Sequence, residues 1–144
     1  MEPALIYPAG RYTSQTPPDL TVRTERERLS GPALRAFFNI MARWKVRDED
    51  ARTLLGGVSN GPFYEMKRNP DRTLDVDRLT RVSYLVGIFK ALHILHGEAL
   101  ADEWVRLPNT NPVFAGETPL ACMMRGGLPA MQTVRRLLDA RRAG

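Results

Sequence analysis

The chain has little of what enzymes, metal proteins and secreted proteins use. Cys122 is its one cysteine in 144 residues, and His93 and His96 are its only histidines. A single thiol excludes an internal disulfide framework and suits a reducing compartment, so a cytoplasmic protein is expected. The two histidines stand three apart on an apolar stretch. They could share a metal, but no Cys or acid at matching spacing joins them, and roles in a core or at a helix end suit them better. Cys122 lies beside a helix start without a His or Asn to form a dyad, which reads as a packed thiol. No apolar run approaches the ~20 residues that span a bilayer. The opening Met1-Glu2-Pro3-Ala4 lacks the basic and apolar regions of an export signal. No segment of useful length alternates with the period of a strand. These absences predict a protein without a catalytic site, metal, cofactor or membrane span, and without a β-sheet.

Hydrophobic residues make up 43% and charged ones 26%, an ordinary globular composition for one domain, or one domain with an appendage. The net charge of +5 is uneven. Residues 1–31 are neutral, 32–97 carry +4 and 98–144 carry +1, with Arg135, Arg136, Arg141 and Arg142 gathered near the end. A basic middle permits nucleic-acid binding through phosphate neutralisation without demanding it.

The organisation predicted along the chain is helical throughout. Residues 1–29, with Pro3, Pro8, Gly10, Pro17 and Pro18, read as a loosely attached arm whose Leu5, Ile6, Tyr7 and Tyr12 could dock on a surface. The alternating charges from Arg23 to Arg28 read as a solvated stretch. Ser30-Gly31-Pro32 reads as a helix start, with Ser30 as cap and Pro32 in the first turn. Leu34, Phe37, Phe38, Met41 and Trp44 then form one apolar helical face. A short helix from Asp48 buries Ala51, Leu54 and Leu55 and stops at Gly56-Gly57. Ser59 caps the next, which turns Phe63 and Met66 inward and ends near Asn69-Pro70. From Val76 to His96, capped by Asp75, runs the longest helix, apolar on nearly every side from Val82 to Leu95, and so the central rod of the fold. Helical structure resumes over Glu98–Val105. Thr118-Pro119 opens another helix, Gly126-Gly127 closes it, and Leu128-Pro129 starts the last. The fold class is all-α: a helix-turn-helix domain over 30–97 and a small helical domain over 98–144.

Leu54-Leu55-Gly56-Gly57-Val58-Ser59, followed by Phe63 and Met66, has helix-turn-helix spacing. A glycine takes positive φ in the sharp turn, and the apolar pair holds the second helix across the first. If that second helix entered a major groove, Ser59, Asn60, Gly61, Tyr64, Lys67 and Arg68 would face DNA. Gly61-Pro62 and the acid Glu65 make this a weak readout surface. Two helices simply packed in a bundle is the plain alternative.

The long helix carries Arg81-Val82-Ser83-Tyr84-Leu85-Val86-Gly87-Ile88-Phe89-Lys90-Ala91-Leu92-His93-Ile94-Leu95. The end of the chain carries Trp104 through Pro108-Asn109, then Phe114-x-Gly116-x-x-Pro119-Leu120-x-x-Met123-x-x-Gly126. In this order, with the Leu55–Ser59 turn upstream, these segments resemble the Xre/MbcA/ParS-type antitoxins over about residues 32 to 142. The resemblance implies a type II antitoxin whose partner is a RES-domain toxin that consumes NAD+ or transfers ADP-ribose from it. It further implies that the C-terminal domain covers the toxin's active-site entrance and that the N-terminal domain represses the shared operon. A stand-alone helix-turn-helix regulator without a toxin is the competing reading.

Under the antitoxin reading, Trp104, Phe114, Met123, Met124 and Met131 are candidate apolar anchors for the toxin, with Asn109 in the turn between them. Arg135, Arg136, Arg141 and Arg142 would meet acidic groups on the toxin rim, and the carboxylate of Gly144 could approach the positive mouth of an NAD+ pocket. Packing within the domain suits Trp104 and Phe114 better than an anchoring role and accounts equally for Met123 and Met124, and a solvated face would account for the arginines. A homodimer is expected, because helix-turn-helix proteins read paired half-sites and the long helix is more apolar than one small bundle covers.

Overall fold

The computed structural model describes residues 17–143. Gly144 and the docking residues expected at Leu5, Ile6, Tyr7 and Tyr12 lie outside the described residues. Six α-helices follow in order: α1 (Arg23–Arg43), α2 (Asp48–Leu54), α3 (Asn60–Arg68), α4 (Val76–Leu95), α5 (Glu98–Glu103) and α6 (Pro119–Ala143), with a 3-10 turn at Trp104–Arg106. No strand occurs among the described residues, and the fold is all-α.

Helix α1 begins at Arg23, seven residues before the expected start, and Ser30-Gly31-Pro32 lies inside it. The charged run from Arg23 to Arg28 supplies its first turns. Arg23 pairs with Glu27 at 3.2 Å and Arg28 with Glu25 at 2.8 Å, at the spacings where helical side chains meet. Pro32 removes the backbone bond to the carbonyl four residues back. Ser30 does not cap. Buried in the helix, its hydroxyl donates to the Arg26 carbonyl at 2.5 Å and accepts from the Leu74 N–H at 2.8 Å, tying α1 to the segment that leads into α4.

The α4 helix is the rod around which the rest is arranged, and its most extensive packing is against α6 and then α1. Asp75 caps it by accepting the Arg78 N–H at 2.8 Å. Leu79, Val82, Leu85, Ile88, Ala91 and Leu92 are buried, while Val86, Phe89 and Leu95 are half-buried on its flanks. From α1 the core receives Leu34, Phe37, Ile40 and Met41, and just after it Trp44, tilted against Phe89 with ring centres 6.4 Å apart. Phe38 sits at the margin, edge-on to Phe37 and Phe63.

A polar junction joins three helices beside this core. Arg43, in the last turn of α1, reaches Asp102 of α5 at 2.9 Å and Glu98 at 3.4 Å. His93 of α4 lies with Nε2 3.2 Å from Asp102 and Nδ1 2.9 Å from the Phe89 carbonyl oxygen. The last helix is interrupted at Gly127, whose φ of 65° and ψ of −145° break α6 into two segments where the glycine pair predicts a stop. Pro129 falls in the first turn after the break, where a backbone N–H would have no partner within the helix. No helix among the described residues is long and apolar enough to cross a membrane.

Candidate functional site

The α2–turn–α3 unit is a helix-turn-helix built by two consecutive glycines. Gly56 has φ +95° and Gly57 φ +88°. That backbone lets the Gly57 and Val58 N–H groups both reach the Arg52 carbonyl, at 2.9 and 3.3 Å, and so seal the end of α2. Leu54, Leu55, Val58, Phe63 and Met66 are buried and brace the two helices against the core. Ser59 stands at the N-cap position of α3 but makes no side-chain capping bond there.

The outer face of α3 exposes Asn60, Gly61, Tyr64, Lys67 and Arg68. Three of these are engaged within the motif. The Tyr64 hydroxyl donates to Asp48 Oδ2 at 3.0 Å, Lys67 Nζ donates to Asp48 Oδ1 at 2.9 Å, and Arg68 pairs with Glu65. The Lys67 ammonium holds the Asp48 carboxyl below its usual range, with further help from Tyr64 and Arg52. The cations expected to meet phosphate are thus partly neutralised before any DNA arrives. Asp48, expected only as the start of α2, is the residue that latches them.

In the C-terminal part, the four strongest apolar candidates are interior. Trp104, Phe114, Met123 and Met131 are at most 7% exposed, with Trp104 and Phe114 edge-to-face at 5.9 Å. Of the two readings of these side chains, their burial supports packing within the domain and corrects the one in which they stand outward as anchors. They join Leu120, Val134 and Leu138 in the core, because a chain of this size has few other large side chains with which to fill the space beside α4. Met124 is half-buried against the same core, as is Cys122. Asn109 shapes a loop: its Oδ1 accepts the Asn111 N–H at 2.9 Å, its N–H donates to the Glu117 carbonyl at 3.1 Å, and its carbonyl accepts the Gly116 N–H at 3.2 Å.

The terminal arginines divide into two kinds. Arg135 is bound to Asp139 at 3.0 Å and lies across α4 at Gly87, where an added Cβ would overlap the Arg135 guanidinium. Arg142 approaches the same Asp139 at 3.7 Å. Arg136 and Arg141 are exposed and have no acidic partner among the described residues.

Two features had no signal in the sequence. Arg81, paired with Asp77 at 2.9 Å, lies between the helix-turn-helix and the break in α6. A Cβ on Gly56 would sit 3.1 Å from its Nε, and one on Gly127 3.9 Å from both terminal nitrogens. The other is a set of exposed apolar side chains, Ile94, Leu100, Leu107 and Val113, around the start of the C-terminal part. Helical periodicity could not single them out, since three of the four lie in or after a helix of six residues. Among the described residues, no group of three or more His, Cys, Asp or Glu is placed to hold a metal ion.

Comparison with known proteins bears on both surfaces. Residues 24–87 match the antitoxin Xre-like helix-turn-helix domain family, and residues 90–144 match the antitoxin Xre/MbcA/ParS C-terminal toxin-binding domain family. Neither family is enzymatic. An uncharacterised protein, y4oB, of Sinorhizobium fredii is 38% identical over 112 residues, which cover 77% of this chain and 84% of that protein. No solved structure matches the chain at a significant level. The two family matches meet inside α4, so the helix-turn-helix and the toxin-binding part share their central helix. With both parts present, in order and on one continuous core, the chain belongs to the Xre/MbcA/ParS antitoxins of toxin-antitoxin systems.

Proposed function

We propose that this chain is the antitoxin of a type II pair and neutralises a RES-domain toxin that consumes NAD+, by degrading it or transferring its ADP-ribose, with the C-terminal part seated over the entrance to the toxin's active site. One observation carries this reading. The region matched as toxin-binding is packed into the common hydrophobic core, with Trp104, Phe114, Met123 and Met131 buried, and so offers a docking face already formed before the partner arrives. Little ordering entropy is then lost on binding. The protein acts in the cytoplasm as a homodimer, and its helix-turn-helix represses the shared operon by binding operator DNA through Asn60, Gly61 and the residues around them. The latched state of Tyr64 and Lys67 argues for modest DNA affinity in the free antitoxin.

Co-expression tests the central claim. A RES-domain toxin encoded beside this chain should arrest growth and lower cellular NAD+, and the chain should restore both. Unrestored growth would sink the reading. The helix-turn-helix geometry also favours a second reading, a stand-alone regulator without a toxin. A neighbouring frame encoding a RES-type domain separates the two, and light scattering that gave a monomer mass at micromolar concentration would count against the homodimer.

A further inference from the structure

The surface that meets the toxin has to include apolar side chains exposed in the free antitoxin. Among the described residues, the exposed large hydrophobic side chains are Val22, Tyr64, Val76, Ile94, Leu100, Leu107 and Val113. Four of the seven fall within 94–113, although this is a small part of the 17–143 described, and Ile94 is the most exposed of all at 62%. The tertiary contacts bring together the segments that carry them. His93, beside Ile94, lies 3.2 Å from Asp102 of α5, and Phe114, beside Val113, packs edge-on to Trp104 immediately after α5. The whole window lies within the toxin-binding match, residues 90–144. The second segment of α6 offers arginines but no large exposed hydrophobic side chain.

Charge decides which of these two surfaces fits the entrance to an NAD+ site. A pocket that holds a diphosphate needs cationic groups at its mouth. Arg136 and Arg141 would be repelled there. The 94–113 window carries Glu98, Asp102 and Glu103 against one Lys or Arg, Arg106, with His96 as its one histidine. Asp102 is turned inward onto Arg43 and His93; Glu98 also reaches Arg43, at 3.4 Å, yet its side chain is 79% exposed, and Glu103 is exposed without a cation partner among the described residues. An apolar patch with outward acids complements an apolar rim set with cations.

We infer that Ile94, Leu100, Leu107 and Val113, flanked by Glu98 and Glu103, form the face that covers the phosphate-binding mouth of the toxin, and that the terminal arginines lie off it. The inference rests on the RES-toxin reading above. Its test is titration of the purified full chain against the RES-domain toxin encoded beside it, with thermal unfolding of each variant as a folding control. Ile94→Arg and Leu107→Arg should each raise Kd about tenfold or more, the effect of losing a central contact of about 1.4 kcal/mol. Glu103→Arg should slow association at low salt, and the double variant Arg136→Glu/Arg141→Glu should stay within about twofold of wild type. If the first three variants, folded as wild type, leave Kd and association rate unchanged, the surface assignment is overturned while the RES reading stands. If the wild-type chain forms no complex with the toxin, the RES reading falls and takes the surface with it.

Discussion

Asp48 shows how one side chain can hold back a whole face. Its two carboxylate oxygens take the Tyr64 hydroxyl and the Lys67 ammonium, the groups best placed on α3 to touch phosphate. Asp48→Asn should therefore raise the affinity for nonspecific duplex DNA, and the dependence of binding on salt should steepen by about one released counterion, read from a titration series in increasing salt. The same latch sets a pH effect. The folded pKa of Asp48 lies below its ordinary value of 3.8, so the latch contributes fully above that value and its contribution fades as pH falls through the lower, folded pKa. The side chain is 38% exposed, so solvent screening keeps the loss small, well under about 1 kcal/mol. Acid titration of stability should show this loss in wild type and not in Asp48→Asn.

The turn glycines can be ranked against each other. Both have left-handed φ, where a Cβ costs about 1–2 kcal/mol. Gly57 faces open space, so Gly57→Ala should cost about that and no more. At Gly56 the added carbon would also press on Asp77 Oδ2 and Arg81 Nε, both at 3.1 Å. Gly56→Ala should be the more destabilising of the two in urea unfolding, and equal midpoints would refute the ordering. The need for a positive-φ glycine was legible in the Gly56-Gly57 pair. The proximity of Arg81 was not, because it comes from a helix twenty-five residues downstream.

Among the elements, α4 and α6 form the most extensive pair, and at Gly87 a side chain of α6 lies on α4. Glycine inside a helix gives up about 1 kcal/mol of propensity relative to alanine, so its place on the rod calls for a packing reason. That reason is the Arg135 guanidinium lying on the α4 backbone. Gly87→Ala should gain little in the wild-type chain, since Arg135 must be displaced, and gain about 0.5–1 kcal/mol in an Arg135→Ala background. A double-mutant cycle measures the difference, and additive effects would show that the notch holds nothing. Most element boundaries were readable from sequence: the Asp75 cap, the Gly56-Gly57 stop and the Gly126-Gly127 break are local signals acting through local backbone geometry. The start of α1 was misread for a physical reason as well. Ser-Gly-Pro is a cap signature only when the residues before it are not helical, and here paired charges and the Ser30–Leu74 bond extend the helix through it.

At the scale of the whole molecule, the helix-turn-helix and the toxin-binding part are not separable bodies. Their family matches meet within α4, whose buried side chains face α1 and α6 together, and the Arg43–Asp102–His93 junction adds a second tie. The chain should unfold in one transition, with calorimetric and van't Hoff enthalpies equal. A chain cut after Leu107 would lose α6 and bare one side of α4, and should unfold without a cooperative transition and bind a dye for exposed apolar surface. Two separate heat-absorption peaks in the full chain would refute this.

By itself the sequence determined the all-helical fold, the place of the turn, the central rod and the family, because periodicity, caps and glycine pairs act over a few residues and are written in order along the chain. Only the tertiary structure decided which side chains remain for a partner. Trp104 and Phe114 look alike as anchor or as core until it is known what packs against them, and Lys67 looks free until Asp48, on another helix, is brought within 2.9 Å. Burial and ion pairing depend on residues distant in sequence, and they moved the proposed contact face from the aromatics and the arginine-bearing end to the exposed apolar residues around α5.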